Sequence, residues 1–248
     1  MLGYLVFACA LCVSASAGHS KLPSEWPRCK RYDPNVDECL VKAIQSIVPQ
    51  IVHGVSKLGI FPLDPLKITK LELAQGSGPV SIDLKFRDLI LKGVGNVTIT
   101  NIVSDLENFK LKIQGYFKQP IQVEADHTTH GQVLILPLGG SGKCQLALDN
   151  IKAEISLVGH EEKKDGKTFM HLDNLDVELE TRRLHMNFEN LVSDNKDLGD
   201  GINLFLNENW QEIFKELYPV IQEALGSTFK VIASRIFSKV PYDEIFLP

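Results

Sequence analysis

The chain has 248 residues, of which 44% are hydrophobic and 23% are charged, and its formal net charge is −5 at pH 7. This composition is ordinary for a globular protein, and the length allows one large or two small domains. The acidic balance, without a cluster of basic residues, argues against nucleic-acid binding and against attraction to anionic membranes.

The first seventeen residues have the pattern of a secretory signal peptide. Residues 2–13 are a short apolar run, and residues 15–17 are the small residues of a cleavage site, although the usual positive charge before the run is missing. A membrane anchor needs about 20 apolar residues, which no stretch of the chain reaches. We therefore predict a signal peptide over 1–17 and a single secreted domain over 18–248, without stable membrane insertion.

The cysteines fit an oxidising environment. Cys9 and Cys12 fall within the predicted signal peptide, which leaves three in the mature chain. Cys29 and Cys39 enclose a short loop rich in turn residues, and we predict that they form a disulfide. Cys144 lies on the apolar side of a predicted strand, which favours a buried free thiol over a reactive one.

A first amphipathic helix is predicted from about Asp37 to about Leu58. Asp37 or one of its neighbours is placed to cap this helix, and Pro49 inside it predicts a kink. Gly59 and the proline-rich residues 62–65 then end the helix and turn the chain.

Between about Ile68 and Phe188 the hydrophobic period changes to two. Runs such as 80–87 and 109–114 alternate apolar and polar residues, and glycines occur where hairpin turns are needed. No helical pattern interrupts this region. It therefore predicts about eight to ten antiparallel strands with one apolar face and one solvated face.

The closing stretch, from about Asn203 to Val240, has the apolar spacing of one very long amphipathic helix, which Pro241 stops. Such a helix would extend roughly 57 Å at 1.5 Å per residue and needs a long apolar surface to lie on. The concave side of a strongly twisted sheet offers that surface. We predict an α+β fold in which a curved antiparallel sheet wraps the long C-terminal helix, with the N-terminal helix as the second inner element.

Five segments of the sequence also resemble those of a known protein family. They are CKRYDP at 29–34, DECL at 37–40, LGIFPLDPL at 58–66, FLNENW at 205–210 and FSKVPYDEIF at 237–246. In these segments the chain resembles the takeout family, which is related to insect juvenile hormone-binding proteins. By spacing, the resemblance covers the whole mature chain.

The resemblance implies a fold with an internal hydrophobic tunnel, secretion, one N-terminal disulfide and carriage of a lipophilic small molecule. It also suggests roles in feeding, circadian output or chemosensation. The hormone-binding branch has two disulfides, whereas this chain has one plausible pair. This difference favours the takeout branch and argues against juvenile hormone itself as the ligand.

The predicted tunnel wall combines apolar residues of both helices with aromatic residues of the strands. The candidates are Ile44, Val48, Ile51, Phe86, Phe117, Phe188, Phe205, Ile213, Leu217, Ile221 and Ile232. Arg235 is the one charge inside the apolar arc of the last helix. It has three interpretations: an ion pair, a tail extended to solvent, or a polar contact to a ligand head group.

Motifs for catalysis, phosphate binding and metal binding are not found. Residues 139–143 match neither the Gly-x-Ser-x-Gly nucleophile turn nor a phosphate-binding loop. His127 and His130 are three apart on a predicted strand and so point to opposite faces, which argues against a metal site. Asn96 begins an Asn-Val-Thr glycosylation signal, which is either modified or buried in a strand.

The predicted function is that of a monomeric secreted carrier of a terpenoid or other lipid, without a cofactor and without enzymatic activity. A secreted lipid-ester hydrolase is the alternative, although no local motif supplies its nucleophile, base and orienting acid. A third possibility is an interaction protein that inserts its apolar interior into membranes or receptors.

Overall fold

The computed structural model describes residues 20–76, 78–192 and 196–248. The predicted signal peptide therefore lies outside the described residues. In chain order the elements are β1 (Cys29–Lys30), α1 (Val36–Ile51), β2 (Leu66–Gln75), β3 (Val80–Lys92), β4 (Val97–Asp105), β5 (Lys110–Phe117), β6 (Ile121–Val133), β7 (Leu136–Asp149), β8 (Lys152–Lys164), β9 (Lys167–Glu180), β10 (Arg183–Phe188), α2 (Lys196–Glu208), α3 (Trp210–Phe237), α4 (Tyr242–Ile245) and β11 (Phe246–Leu247).

The long strands form two antiparallel sheets where the sequence pattern predicts one curved sheet. One sheet has five strands in the order β10-β7-β6-β3-β2, and the other has four in the order β4-β5-β8-β9. The chain passes between them four times, at residues 93–96, 118–120, 150–151 and 181–182. We call these crossing residues the waist. Among the strands that the structure describes, neither sheet closes on itself.

Backbone hydrogen bonds connect neighbouring crossings at the waist. The Phe117 amide donates to the Ile151 carbonyl at 2.9 Å, and the Lys118 amide donates to the Asn96 carbonyl at 3.3 Å. The carboxylate of Asp64 accepts from the amides of Gly93 and Gly95 at 3.0 and 2.9 Å. These bonds join the two sheets end to end.

The C-terminal helical region is broken, which corrects the prediction of a single helix from Asn203 to Val240. The break is at Asn209, whose φ of −105° and ψ of 19° are not helical. Asparagine favours helix ends because its side chain competes for backbone hydrogen bonds, and here it donates to the Phe205 carbonyl. The remaining long helix, α3, has 28 residues and is about 42 Å long.

The helix α1 is also shorter than predicted, since it ends at Ile51 and a separate 3-10 turn covers Ser56–Leu58. Gly54 adopts a φ of +84°, and a β-carbon there would lie 2.8 Å from the backbone nitrogen of Pro62. Only glycine fits this reversal. Pro49 lies inside the helix, as predicted.

Amide side chains of α2 cover the outer edge of β10. Asn207 accepts from the Met186 amide at 2.9 Å and donates to the Met186 carbonyl at 2.6 Å. Asn203 bonds both backbone groups of Phe188 in the same way, at 2.9 and 2.8 Å. The four residues from Asn203 to Asn207 rise about 6 Å along α2, and the two residues from Met186 to Phe188 span about 6.7 Å along β10. Because these two distances match, both side chains can reach the strand edge. An edge that would otherwise be free for pairing is thereby covered.

The helix α1 covers the outer edge of β4 by the same chemistry. Gln45 donates to the Val97 carbonyl at 3.3 Å and accepts from the Ile99 amide at 2.8 Å. Asp37, one of the predicted candidates to cap α1, instead accepts from the Ser104 amide and hydroxyl at 3.0 and 2.5 Å, and Asn35 occupies the N-cap position. The Asp37 carboxylate therefore attaches α1 to β4 and does not serve as a cap for the first turn of α1.

The two chain ends meet beside the four-stranded sheet. The predicted disulfide between Cys29 and Cys39 is present, and β1 pairs in parallel with β11. Tyr242 is buried, and its hydroxyl donates to the Leu106 carbonyl at 2.7 Å. Arg31 forms an ion pair with Asp243. These contacts fasten α1 and the end of α3 to one another.

Candidate ligand-binding site

The helix α3 lies across both sheets. Its first half buries Trp210, Ile213 and Leu217 against the five-stranded sheet. Its second half approaches β9, where a β-carbon on Gly226 would lie 2.7 Å from the Leu175 carbonyl oxygen. No helix in the described part of the chain is both long and apolar enough to cross a bilayer. Residues on the apolar face of α3 pack in the clusters of both sheets.

The apolar side chains form three clusters. The first, which we call the five-strand cluster, packs β3, β6, β7 and β10 against α2 and the first half of α3. The four-strand cluster packs β4, β5, β8 and β9 against α1 and the second half of α3. The end cluster is centred on Trp26, Leu58, Ile60 and Val240 and lies between the ends of α1 and α3.

Burial is lowest in the middle of the apolar face of α3. Leu217 is 9% exposed and Ile213 only 3%, whereas the apolar residues between Val220 and Phe237 that face the clusters are half-buried, and Phe237 is buried again at 9%. The facing apolar residues of α1 beyond Ala43 are half-buried too. Together they form what we call the loose lining: Ile44, Ile47, Ile51, Ile221, Leu225, Phe229, Ile232 and Ile236. These side chains pack against the buried clusters while part of their apolar surface stays exposed.

The residues predicted for the tunnel wall divide between tight core and loose lining. Phe86, Phe188, Ile213 and Leu217 are buried in the five-strand cluster. Those in the loose lining are Ile44, Ile51, Ile221 and Ile232. Val48, Phe117 and Phe205 are half-buried. The structure does not bring all eleven residues to one surface.

Four members of the loose lining were missed by the sequence prediction, namely Ile47, Leu225, Phe229 and Ile236. Their signal is present in the sequence, because 225, 229, 232 and 236 follow helical spacing. Periodicity shows that a residue faces inward, whereas the exposed fraction depends on how closely the opposite sheet approaches.

Three clefts open on the outside of the described structure, with volumes of about 590, 690 and 580 Å³. The first lies beside Asn207 and β10, the second between α1 and the waist, and the third beside Tyr218. Mostly polar, outward-facing residues line them, and no predicted wall residue borders any of the three. The internal tunnel therefore stays a prediction.

Two polar side chains, His127 and Thr129, are buried on the inward face of β6, each 1% exposed. His127 Nε2 lies 2.7 Å from the Glu189 carbonyl, and its Nδ1 lies 2.9 Å from the Thr129 hydroxyl. A carbonyl only accepts, so Nε2 carries the proton and Nδ1 accepts from Thr129. Burial lowers the pKa of His127, so the ring is neutral at pH 7.

These buried groups do not form a metal or nucleophilic site. His130 is exposed on the opposite face of the strand, as the spacing predicts, and the described residues contain no group of three or more metal-ligating side chains. Cys144 is a buried free thiol, and burial raises its pKa to about 12. A thiol that stays protonated at pH 7 is a poor nucleophile.

Arg235 lies at the end of α3, where sequence alone left its partner open. Its Nη1 donates to the Gly59 carbonyl at 2.5 Å, and its guanidinium lies 4.6 Å from the centroid of the Phe61 ring. It forms no ion pair with any described residue. The partner is therefore the loop after α1, which belongs to the LGIFPLDPL segment.

The matches to known proteins agree with this architecture. The chain belongs to the haemolymph juvenile hormone binding protein (JHBP) family, whose model matches residues 6–247. This is a family of proteins that bind hydrophobic ligands. The predicted relation to takeout and juvenile hormone-binding proteins is thereby confirmed.

Individual relatives are similar over most of the chain. The circadian clock-controlled protein daywake of Drosophila melanogaster is 26% identical over 242 residues, covering 94% of this chain and 90% of daywake. A putative beta-carotene-binding protein of Schistocerca gregaria is 23% identical over 211 residues, covering 84% of this chain and 83% of that protein. The crystal structure of Epiphyas postvittana Takeout 1 superposes with a TM-score of 0.77 at 24% identity, covering 90% of this chain and 100% of that one.

Proposed function

We propose that the protein is a secreted monomeric carrier that holds a hydrophobic small molecule, a terpenoid or another lipid, against the loose lining between α3, α1 and the sheets. The observation that carries this proposal is the half-burial of the lining. Apolar side chains inside a fold normally pack to crystal-like density. Inward-facing isoleucine, leucine and phenylalanine that remain partly exposed leave apolar surface for a ligand to cover.

The expected affinity follows from apolar burial. A ligand that buries about 300 Å² of apolar surface gains roughly 7 kcal/mol at 25 cal/mol/Å², before the cost of association. The loose lining itself is entirely apolar and offers no hydrogen-bonding side chain. Shape and volume would therefore set selectivity along the lining.

Several features support secretion and extracellular transport. The disulfide between Cys29 and Cys39 is typical of an oxidising environment. Asn96 is exposed at the waist, where a glycan would meet solvent, and we propose that it is glycosylated. The similarity to daywake, a circadian clock-controlled protein, supports a role in circadian output, and the similarity to the putative beta-carotene-binding protein supports an isoprenoid-like ligand. A carrier rather than a hydrolase is also supported by the inert state of Cys144.

The proposal is tested by placing a large side chain in the loose lining. Ile221 is half-buried there, so Ile221→Trp should occupy ligand space with little strain, whereas tryptophan at the tightly buried Leu217 would overpack the core. Val231→Trp is the matched control, because Val231 is on the outer side of α3 and 58% exposed.

The measurement is a titration with the apolar fluorescent probe N-phenyl-1-naphthylamine. We expect Ile221→Trp to weaken probe binding at least fivefold while the thermal midpoint stays near that of the wild type, and Val231→Trp to bind as the wild type does. Equal binding by both variants and the wild type would contradict a ligand site on the lining.

A further inference from the structure

Two cations converge on one turn at the end of α3. Arg235 donates to the Gly59 carbonyl, and Lys239 Nζ lies 2.7 Å from the position that a β-carbon on Gly59 would occupy. Arg235 is half-buried and Lys239 exposed. Both cations therefore lie close to Gly59, and like charges held this close repel each other. The pair is therefore a local concentration of positive charge.

The carboxylates close to this turn in sequence are engaged elsewhere. Asp243 pairs with Arg31, and Glu244 pairs with Arg28 at 3.5 Å. Asp64 accepts from two backbone amides of the waist. Within the described residues, neither Arg235 nor Lys239 forms an ion pair. The helix C-terminus favours a nearby cation, but it supplies no counter-ion for two of them.

Apolar surface begins directly beside these charges. Ile232 and Ile236 flank Arg235 on α3, and both belong to the end cluster and are half-buried. Across the cluster lie the half-buried residues Ile47, Ile51, Val55 and Leu63. The arrangement places an unneutralised pair of cations next to one end of the loose lining, as an amphiphile with an anionic head requires.

We propose that Arg235 and Lys239 bind the carboxylate of a fatty-acid-like ligand whose hydrocarbon tail lies along the loose lining. This assignment rests on the carrier function proposed above and adds the ligand's head group to it. The guanidinium donates one hydrogen bond to the Gly59 carbonyl and stacks on Phe61, which holds the group in place and leaves its other N–H donors for a carboxylate. A planar guanidinium and a carboxylate form charge-assisted hydrogen bonds that are stronger than neutral ones.

The test compares cis-parinaric acid, whose head group is a carboxylate, with its uncharged methyl ester, which has the same hydrocarbon tail, each below its aggregation limit. We expect the wild type to bind the acid about tenfold more tightly than the ester, and the preference to shrink in high salt. In the double variant Arg235→Gln/Lys239→Gln, the acid should bind only as tightly as the ester does. Lys215→Gln, at an exposed lysine in the first half of α3, should keep the preference.

The outcomes separate this assignment from the carrier function. Equal binding of acid and ester by the wild type, or a preference that persists in the double variant, would overturn the head-group assignment and leave the carrier function standing. Binding of neither probe by the wild type would overturn both. Arg235→Lys keeps the charge and should retain most of the preference, so its loss in a folded Arg235→Lys protein would also contradict a simple charge contact.

Discussion

Asn207 holds α2 against the outer edge of β10, and its replacement by alanine would remove both partners of the Met186 backbone. The side-chain amide accepts from the Met186 amide at 2.9 Å and donates to the Met186 carbonyl at 2.6 Å. Met186 is 8% exposed, so its backbone groups have little access to solvent. A buried polar group without a partner costs about 1–3 kcal/mol.

The expected loss for Asn207→Ala is about 2–3 kcal/mol of the free energy of unfolding. It falls at the low end of the range for two unpaired groups because the cleft beside Asn207 and Met186 admits water to part of the site. For a chain of this size, each kcal/mol corresponds to about 2–4 °C in the thermal midpoint. The midpoint should therefore fall by roughly 4–12 °C.

Urea and thermal denaturation followed by circular dichroism would measure this loss. Asn187→Ala is the matched control, because Asn187 is an exposed neighbour on the same strand, and it should change stability by less than about 0.5 kcal/mol. A change for Asn207→Ala as small as that of the control would refute the idea that amide side chains fasten α2 to the sheet edge.

Three further predictions concern the scaffold. Gly226→Ala should destabilise the protein by about 1–3 kcal/mol, because the added β-carbon would press on β9. Gly201→Ala is the control: Gly201 lies on α2 with open space around it, so this change should be neutral or stabilise by up to about 1 kcal/mol. The denaturation midpoints of the two variants test the difference. Removal of the disulfide between Cys29 and Cys39 by serine substitution should cost about 2–3 kcal/mol in the chain-entropy model, and denaturation with and without reductant checks it. The pKa of His127 is lowered in the folded protein, so as the pH decreases the unfolded state binds a proton first. The free energy of unfolding should therefore fall as the pH decreases below about 6.5. His127→Gln should flatten this part of the stability–pH curve, and an unchanged slope would contradict a lowered pKa for the buried His127.

Much of the fold is predictable because hydrophobic periodicity reports local structure directly. The change from a helical period to a period of two near β2, and back again before α2, places the elements correctly. The break at Asn209 is not predictable in this way, because the apolar spacing continues through it. Asn209 bonds the Phe205 carbonyl at the break, and the segment before it is attached to β10 through Asn203 and Asn207, a contact that depends on tertiary structure.

The division into two sheets was missed for a related reason. Alternation of apolar and polar residues continues on both sides of each crossing, and the waist interrupts only the hydrogen-bonded ladder. The carboxylate of Asp64 and the glycines that it bonds organise one crossing, yet they look like ordinary turn residues in the sequence. Strand pairing across the waist is thus a long-range property.

The candidate site is less predictable than the fold. Leu217 and Ile221 are one helical turn apart on the same apolar face, but the first is tightly packed and the second is half-buried. Their difference depends on tertiary packing, which a single sequence does not encode locally. Likewise, the spacing identified Arg235 as unusual but could not identify Gly59 and Phe61 as its partners.

Native mass spectrometry of the protein secreted from insect cells tests the central claim most directly. We predict a complex with one small molecule of lipid-like mass that organic extraction removes, and a markedly smaller bound fraction for Ile221→Trp than for Val231→Trp. Wild-type protein that carries no such molecule, and takes up none when lipid extract is added, would contradict the account.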